Sequence, residues 1–179
     1  MKRGGLIGAT LFLAVASASI LPALAGLAPA ALMPPGEVQA LGAEGAILRD
    51  DNLVDRLADV PFTLPIDSAG WKAGVLTLDL KVTGNDHEPE ELYRNMAEAI
   101  GFAFQDTANV EQLLLRVLVD DKWLDSRRLL LAGDIRRSEW SSEGLGRLRE
   151  AGNRPLPEAL RRQFRISESE LWRKQFIYP

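Results

Sequence analysis

The sequence predicts an α+β domain centred on a small β-α-β-β sheet, and three stretches carry that prediction. Residues 75–83 alternate apolar Leu76, Leu78, Leu80 and Val82 with polar Thr77, Asp79, Lys81 and Thr83, the period-two pattern of a strand with one buried face. Residues 90–105 carry Leu92, Met96, Ala99, Ile100 and Ala103 at spacings of three and four, which is one apolar stripe of a helix. Residues 110–119 form the most apolar run after the N-terminus. There Leu113, Leu115, Val117 and Val119 share one face, Leu114 and Leu118 the other, and only Arg116 interrupts. A strand apolar on both sides belongs in the middle of a sheet.

The remaining elements follow in chain order. Asp50 or Asp51 can cap a short helix carrying Leu53, Val54 and Leu57, ended by Pro61. Residues 62–66 can add a fourth strand at the edge, where Pro65 is tolerated. Residues 84–89 stack turn formers, and Pro89 suits a first helical turn. Residues 127–135 return as a strand around Leu129, Leu130 and Leu131 after the polar connection 120–126, too short for a parallel crossover. The pair joined through the helix is therefore parallel, with a right-handed crossover, and the last pair antiparallel. Ser138 can cap a helix reaching Glu150, and Pro155 and Pro157 frame another with Leu156, Leu160 and Phe164. Ser167-Glu168-Ser169-Glu170 reads as a capping box with Ile166 and Leu171 as its staple. Trp172 and Phe176 on that last helix are expected to cover the second face of the sheet, near Leu114 and Leu118. The predicted sheet thus has three strands, or four with the edge strand, one helix on one face and the C-terminal helices on the other.

Residues 1–33 begin with Lys2 and Arg3 and then run apolar, as an export signal does. Small-residue cleavage sites end at Ala18, Ala25 and Ala40, and Pro34, Pro35 and Gly36 favour the last. The alternative is a retained anchor, because residues 6–33 are long enough to span a bilayer. Either way the basic start places the rest outside the cytoplasm. The expected organisation is a signal peptide or anchor over 1–40, a spacer with a short helix over 41–70, and one α+β domain over 71–179. The chain has no Cys, which removes disulfides, thiolate metal sites and a lipid-anchoring cysteine.

Charge divides along the chain. Residues 41–126 hold 7 Lys+Arg against 17 Asp+Glu, whereas residues 127–179 hold 12 against 7. The plainer reading folds the basic half back on the acidic half. The sharper one presents Arg136, Arg137, Arg161, Arg162, Arg165, Arg173 and Trp172 as an interaction surface for an envelope protein or an anionic wall polymer.

Motifs for catalysis are missing. His87 is the only histidine and lies among turn-forming Asn85 and Asp86, so a two-His zinc site is excluded and the turn explains its neighbours. Asp120, Asp121 and Asp125 cluster at a hairpin, where solvated carboxylates keep ordinary acidity unless one is desolvated; weak calcium binding is the one functional use left to them. There is no G-x-S-x-G elbow, no S-x-x-K and no phosphate loop. Trp71, Trp123, Trp140 and Trp172 suit packing better than a sugar groove. Arg127-Arg128 and Arg136-Arg137 lack the aromatic interleaving of a nucleic-acid binder. No cofactor and no metal are expected.

The order VLTLDLKV, ELYRNMAEAIGFAF, TANVEQLLLRVLVDDK, with Thr107 and Val110 in the turn and Val119-Asp120 at the end, resembles part of the GerMN module of bacterial sporulation and germination lipoproteins. The resemblance covers about residues 74–122 and lacks the lipoprotein cysteine. It implies an envelope-associated binding or assembly module without catalysis, and assigns no functional residue. The sequence is thus read as a non-enzymatic, exported cell-envelope module. The rivals are an exported hydrolase pairing Asp79 with Asp120 or Asp121, and a membrane-anchored structural subunit.

Overall fold

Alternation along residues 75–82 sets the sheet, and the rest of the fold is arranged on it. The structure, a computed structural model, describes residues 45–83, 87–121 and 126–177; the expected signal or anchor over 1–40 lies outside the described residues. In chain order the elements are α1 (Leu53–Ala58), β1 (Ile66–Lys72), β2 (Val75–Val82), α2 (Pro89–Gly101) continued by a π-turn (Phe102–Asp106), β3 (Gln112–Asp121), β4 (Ser126–Arg136), α3 (Ser142–Arg149), α4 (Glu158–Gln163), β5 (Ser167–Glu168) and α5 (Glu170–Trp172), which runs into a second π-turn (Arg173–Ile177). The five strands lie in the order β1-β2-β3-β4-β5. Only β2 and β3 are parallel; the other neighbours are antiparallel. The strand–helix–strand–strand core has the predicted order, and β3 is its central strand.

Among the described residues five strands replace the expected three or four. The edge strand is Ile66–Lys72 rather than 62–66, and it forms a hairpin with β2. Ala73 and Gly74 are its two turn residues, with φ of 49° and 84°, the left-handed pair that a tight hairpin between twisted strands requires. β5 adds two residues to the far edge, Ser167 and Glu168 opposite Ala132 and Leu131. This sheet pairing also displaces the expected capping box: Ser167 is in the strand, so the helix begins later, with Ser169 accepting from the Trp172 amide at 3.0 Å. Likewise Ser141, not Ser138, caps α3, and α1 starts after Asn52 rather than at Asp50 or Asp51.

One face of the sheet is packed. Leu76, Leu78, Leu80 and Val82 of β2 register with Leu113, Leu115, Val117 and Val119 of β3, and α2 lays Leu92, Met96, Ala99 and Ile100 toward the core, each fully buried. At Gly133, opposite Leu115, a methyl would lie 2.7 Å from Ile135 Cδ1, so the space a side chain would take there is filled by isoleucine.

The C-terminal helices pack on this same side, contrary to the expected cover of the second face. Trp172 is fully buried and meets the ring of Tyr93 on α2 edge-on, with centroids 5.6 Å apart, while Phe176 stacks on it at 4.7 Å. The predicted spacer is likewise part of the core from Leu48 onward. Leu48, Leu53, Leu57 and Leu64 are buried, and the Leu48 amide and carbonyl are both bonded by the Asn109 side chain at 2.8 Å. An amphipathic stretch close to a half-built core docks because burying each leucine is worth about 2 kcal/mol.

Candidate binding face on the open side of the sheet

Opposite α2, the sheet presents Thr77, Leu114, Arg116, Asp120, Arg127 and Leu129 as exposed residues. Leu114 and Leu129 are 38% and 39% exposed. β3 is therefore apolar on both sides with helical cover on one side only, among the described residues. Charged chains supply the rest. Arg116 grips Asp79 on the neighbouring strand with two bonds, Nε to Oδ1 at 2.7 Å and Nη2 to Oδ2 at 2.6 Å. Ser68 of β1 donates to the same carboxylate at 2.7 Å. Arg127 of β4 reaches across β3 and β2 to Asp67 of β1, with Nη1 2.6 Å from Oδ2. Lys81 pairs with Asp120, and between these chains Leu118 is buried. Long cationic chains commonly cover apolar surface with their methylenes in this way.

A groove of about 370 Å³ opens on this face. Its floor is Leu114 and Ala132, and its walls hold the Asp79–Arg116 pair on one side and Asp134 with Arg165 on the other. Asp134 accepts from Gln112 at 2.6 Å, and Arg165 reaches Asp134 at 3.8 Å and Glu139 more closely. The Arg116 guanidinium, helped by Ser68, holds the Asp79 carboxyl below the usual carboxylate range against the opposing effect of burial. Such a carboxylate stays ionised and does not exchange protons near neutrality. Chemically the face can make apolar and charge-assisted contacts, and its charges are already matched strand to strand.

The sequence-predicted residues separate. Arg136 is exposed on the open face beside Gln112. Arg137 is an internal clamp, donating to the carbonyls of Val110 at 2.6 Å, Phe104 at 3.2 Å, Ala103 at 3.1 Å and Thr107 at 2.7 Å, with its guanidinium over the Phe104 ring at 5.4 Å. Arg161 faces Glu168 and Arg162 pairs with Glu158, whereas Arg173 is exposed. With Trp172 buried, the seven residues do not form one surface. Arg165 and Arg136 belong to the open face, where Asp67, Asp79, Arg116 and Arg127 join them. In the sequence Asp79 enters only as a hydrolase candidate and Arg127 only as half of a basic pair, while Asp67 and Arg116 carry no functional reading, because pairing across strands is not visible along the chain. The one legible signal was Arg116, a lone cation inside an apolar run.

His87 is engaged locally, with Nδ1 2.7 Å from Glu91 Oε2 and Nε2 2.9 Å from the Thr83 carbonyl. Burial acts to raise the Glu91 carboxyl, but bonds from His87 and Thr63 outweigh it, and the net direction is downward. Asp79 and Asp120 each face their own cation rather than each other, and the side chains of Asp121 and Asp125 lie outside the described residues. Among the described residues no group of three or more His, Asp or Glu is placed to hold a metal ion.

No family model matches the chain, nor does any curated protein or solved structure.

Proposed function

We propose that this chain is a non-catalytic, exported module of the bacterial cell envelope that binds or assembles through the open face of its sheet. The observation that carries the reading is that face itself: a central apolar strand with Leu114 exposed, bordered by paired charges on four strands. Such a mixture of apolar and polar groups is usual for non-obligate protein contacts. Export rests on the basic, then apolar, N-terminal sequence, and the role as a binding module agrees with the resemblance of residues 74–122 to the GerMN module. Nothing in the geometry favours the paired-carboxylate hydrolase, since Asp79 is held ionised by Arg116.

The test uses a photoreactive side chain at position 114 of the full chain, expressed in a bacterial host and irradiated in intact cells. A discrete crosslinked envelope partner is expected from position 114, with none from exposed position 94 on α2. The mature N-terminus at Leu41 would accompany export with cleavage. Equal labelling from both positions, or a product retained in the cytoplasm, would overturn the reading.

A further inference from the structure

We infer that the crevice between α1 and the C-terminal end of α2 is a separate binding site for a small zwitterion of amino-acid to dipeptide size. It encloses about 320 Å³, at the lower end of the range for ligand pockets. Its floor is apolar and buried, formed by Leu48, Gly101 and Phe102. A methyl at Gly101 would sit 3.3 Å from Gln105 Oε1 and 3.4 Å from Arg149 Nη2, the ends of two side chains that line the crevice.

Charges of both signs stand around that floor. Glu98 and Arg149 neutralise each other through two bonds of 3.1 and 3.3 Å. Arg56, Asp59 and Asp106 also line the crevice, and among the described residues none of them has an ion-pair partner. Arg56 and Asp59 come from the α1 side, and Asp106 from the π-turn opposite. A helix C-terminus would ordinarily bias such a site toward cations. Here Arg137 already binds the carbonyls of Ala103, Phe104 and Thr107, and the Ala46 amide takes that of Asp106 at 2.8 Å. With the helix end satisfied, the side chains decide, and they offer a cation for a carboxylate and carboxylates for an ammonium. The apolar floor suits an aliphatic side chain between the two. A π-turn in the wall is consistent with a functional position.

The test titrates leucyl-leucine into the full chain, following amide shifts at Gly101 and Gln105 and the heat of binding. Saturable binding is expected, weakened at least tenfold by N-acetylation of the dipeptide, by its conversion to the amide, and by Arg56→Ala or Asp59→Asn, both exposed substitutions. Leu114→Asp on the open face of the sheet should leave it unchanged, which keeps this site distinguishable from the proposed envelope contact. Absence of saturable binding, equal binding of the blocked dipeptides, or wild-type affinity in Arg56→Ala would overturn the inference.

Discussion

Arg137 follows Arg136 in the sequence with nothing to tell the two apart, yet one is exposed and the other ties four backbone carbonyls at the junction of α2, its π-turn and β3. Arg137→Ala would take this donor from all four carbonyls, leaving that of Ala103 its bond from Thr107 Oγ1, and about 3 kcal/mol of stability should be lost in urea denaturation. Arg137→Lys should recover only part, since an ammonium cannot reproduce the forked geometry. Asp79 and Arg116 make a second residue-scale case. The folded state holds the Asp79 carboxyl below its ordinary range, so it binds fewer protons than the unfolded chain just under pH 4. The contribution of the pair is complete above about pH 4 and is lost as pH falls through the lowered value. Arg116→Met should cost about 2 kcal/mol at pH 7, the low end for an unpaired buried charge because Arg116 itself is largely in solvent. The gap to the wild type should narrow near pH 3. Neither role was legible beforehand, because a guanidinium's partners come from strands and turns distant in sequence, whereas composition reports only that it is charged.

Among the elements, those set by local periodicity emerged where the sequence placed them. The helix over residues 90–105 is α2 with its π-turn, and the strands over 113–119 and 127–135 are β3 and β4 extended by one or two residues at each end. Elements whose limits depend on pairing moved instead. β1 lies at 66–72 because Ala73 and Gly74 can turn with positive φ and so bring residues 66–72 back along β2. Alanine bears that conformation at a cost of about 1 kcal/mol. Ala73→Asn would create the dipeptide favoured in such turns, and it should raise stability by about 0.5–1 kcal/mol, read as a higher melting temperature with an unchanged far-ultraviolet spectrum. A fall in melting temperature would mean that the hairpin uses another turn. The seat of Ser167 beside Ala132 is a pairing effect of the same kind. A capping-box pattern is satisfied locally, but a sheet edge offers the Ser167 backbone partners that no helix start can match.

For the whole molecule, the decisive feature is that α3 and the Trp172 helix pack on α2, and α4 on α3, instead of closing the sheet from the other side. Trp172 shows what this does to an expected surface residue. With its ring between Tyr93 and Phe176 and fully buried, Trp172→Ala should cost about 3–5 kcal/mol, seen in thermal or urea unfolding. A loss under 1 kcal/mol would indicate that the aromatic stack does not belong to the core. By itself the sequence determined the α+β class, the β2-α2-β3-β4 order, the parallel pair and the face of β2 that packs, because periodicity and connection length are local quantities that act before any distant contact forms. Only the tertiary structure decided which layer received the C-terminal helices, that Arg137 became an internal clamp, and that among the described residues the sheet keeps one face open under a lattice of ion pairs. Those outcomes depend on distances between residues far apart in the chain, and on whether apolar surface is covered by a helix or by the stems of charged side chains, a choice that hydropathy patterns do not encode.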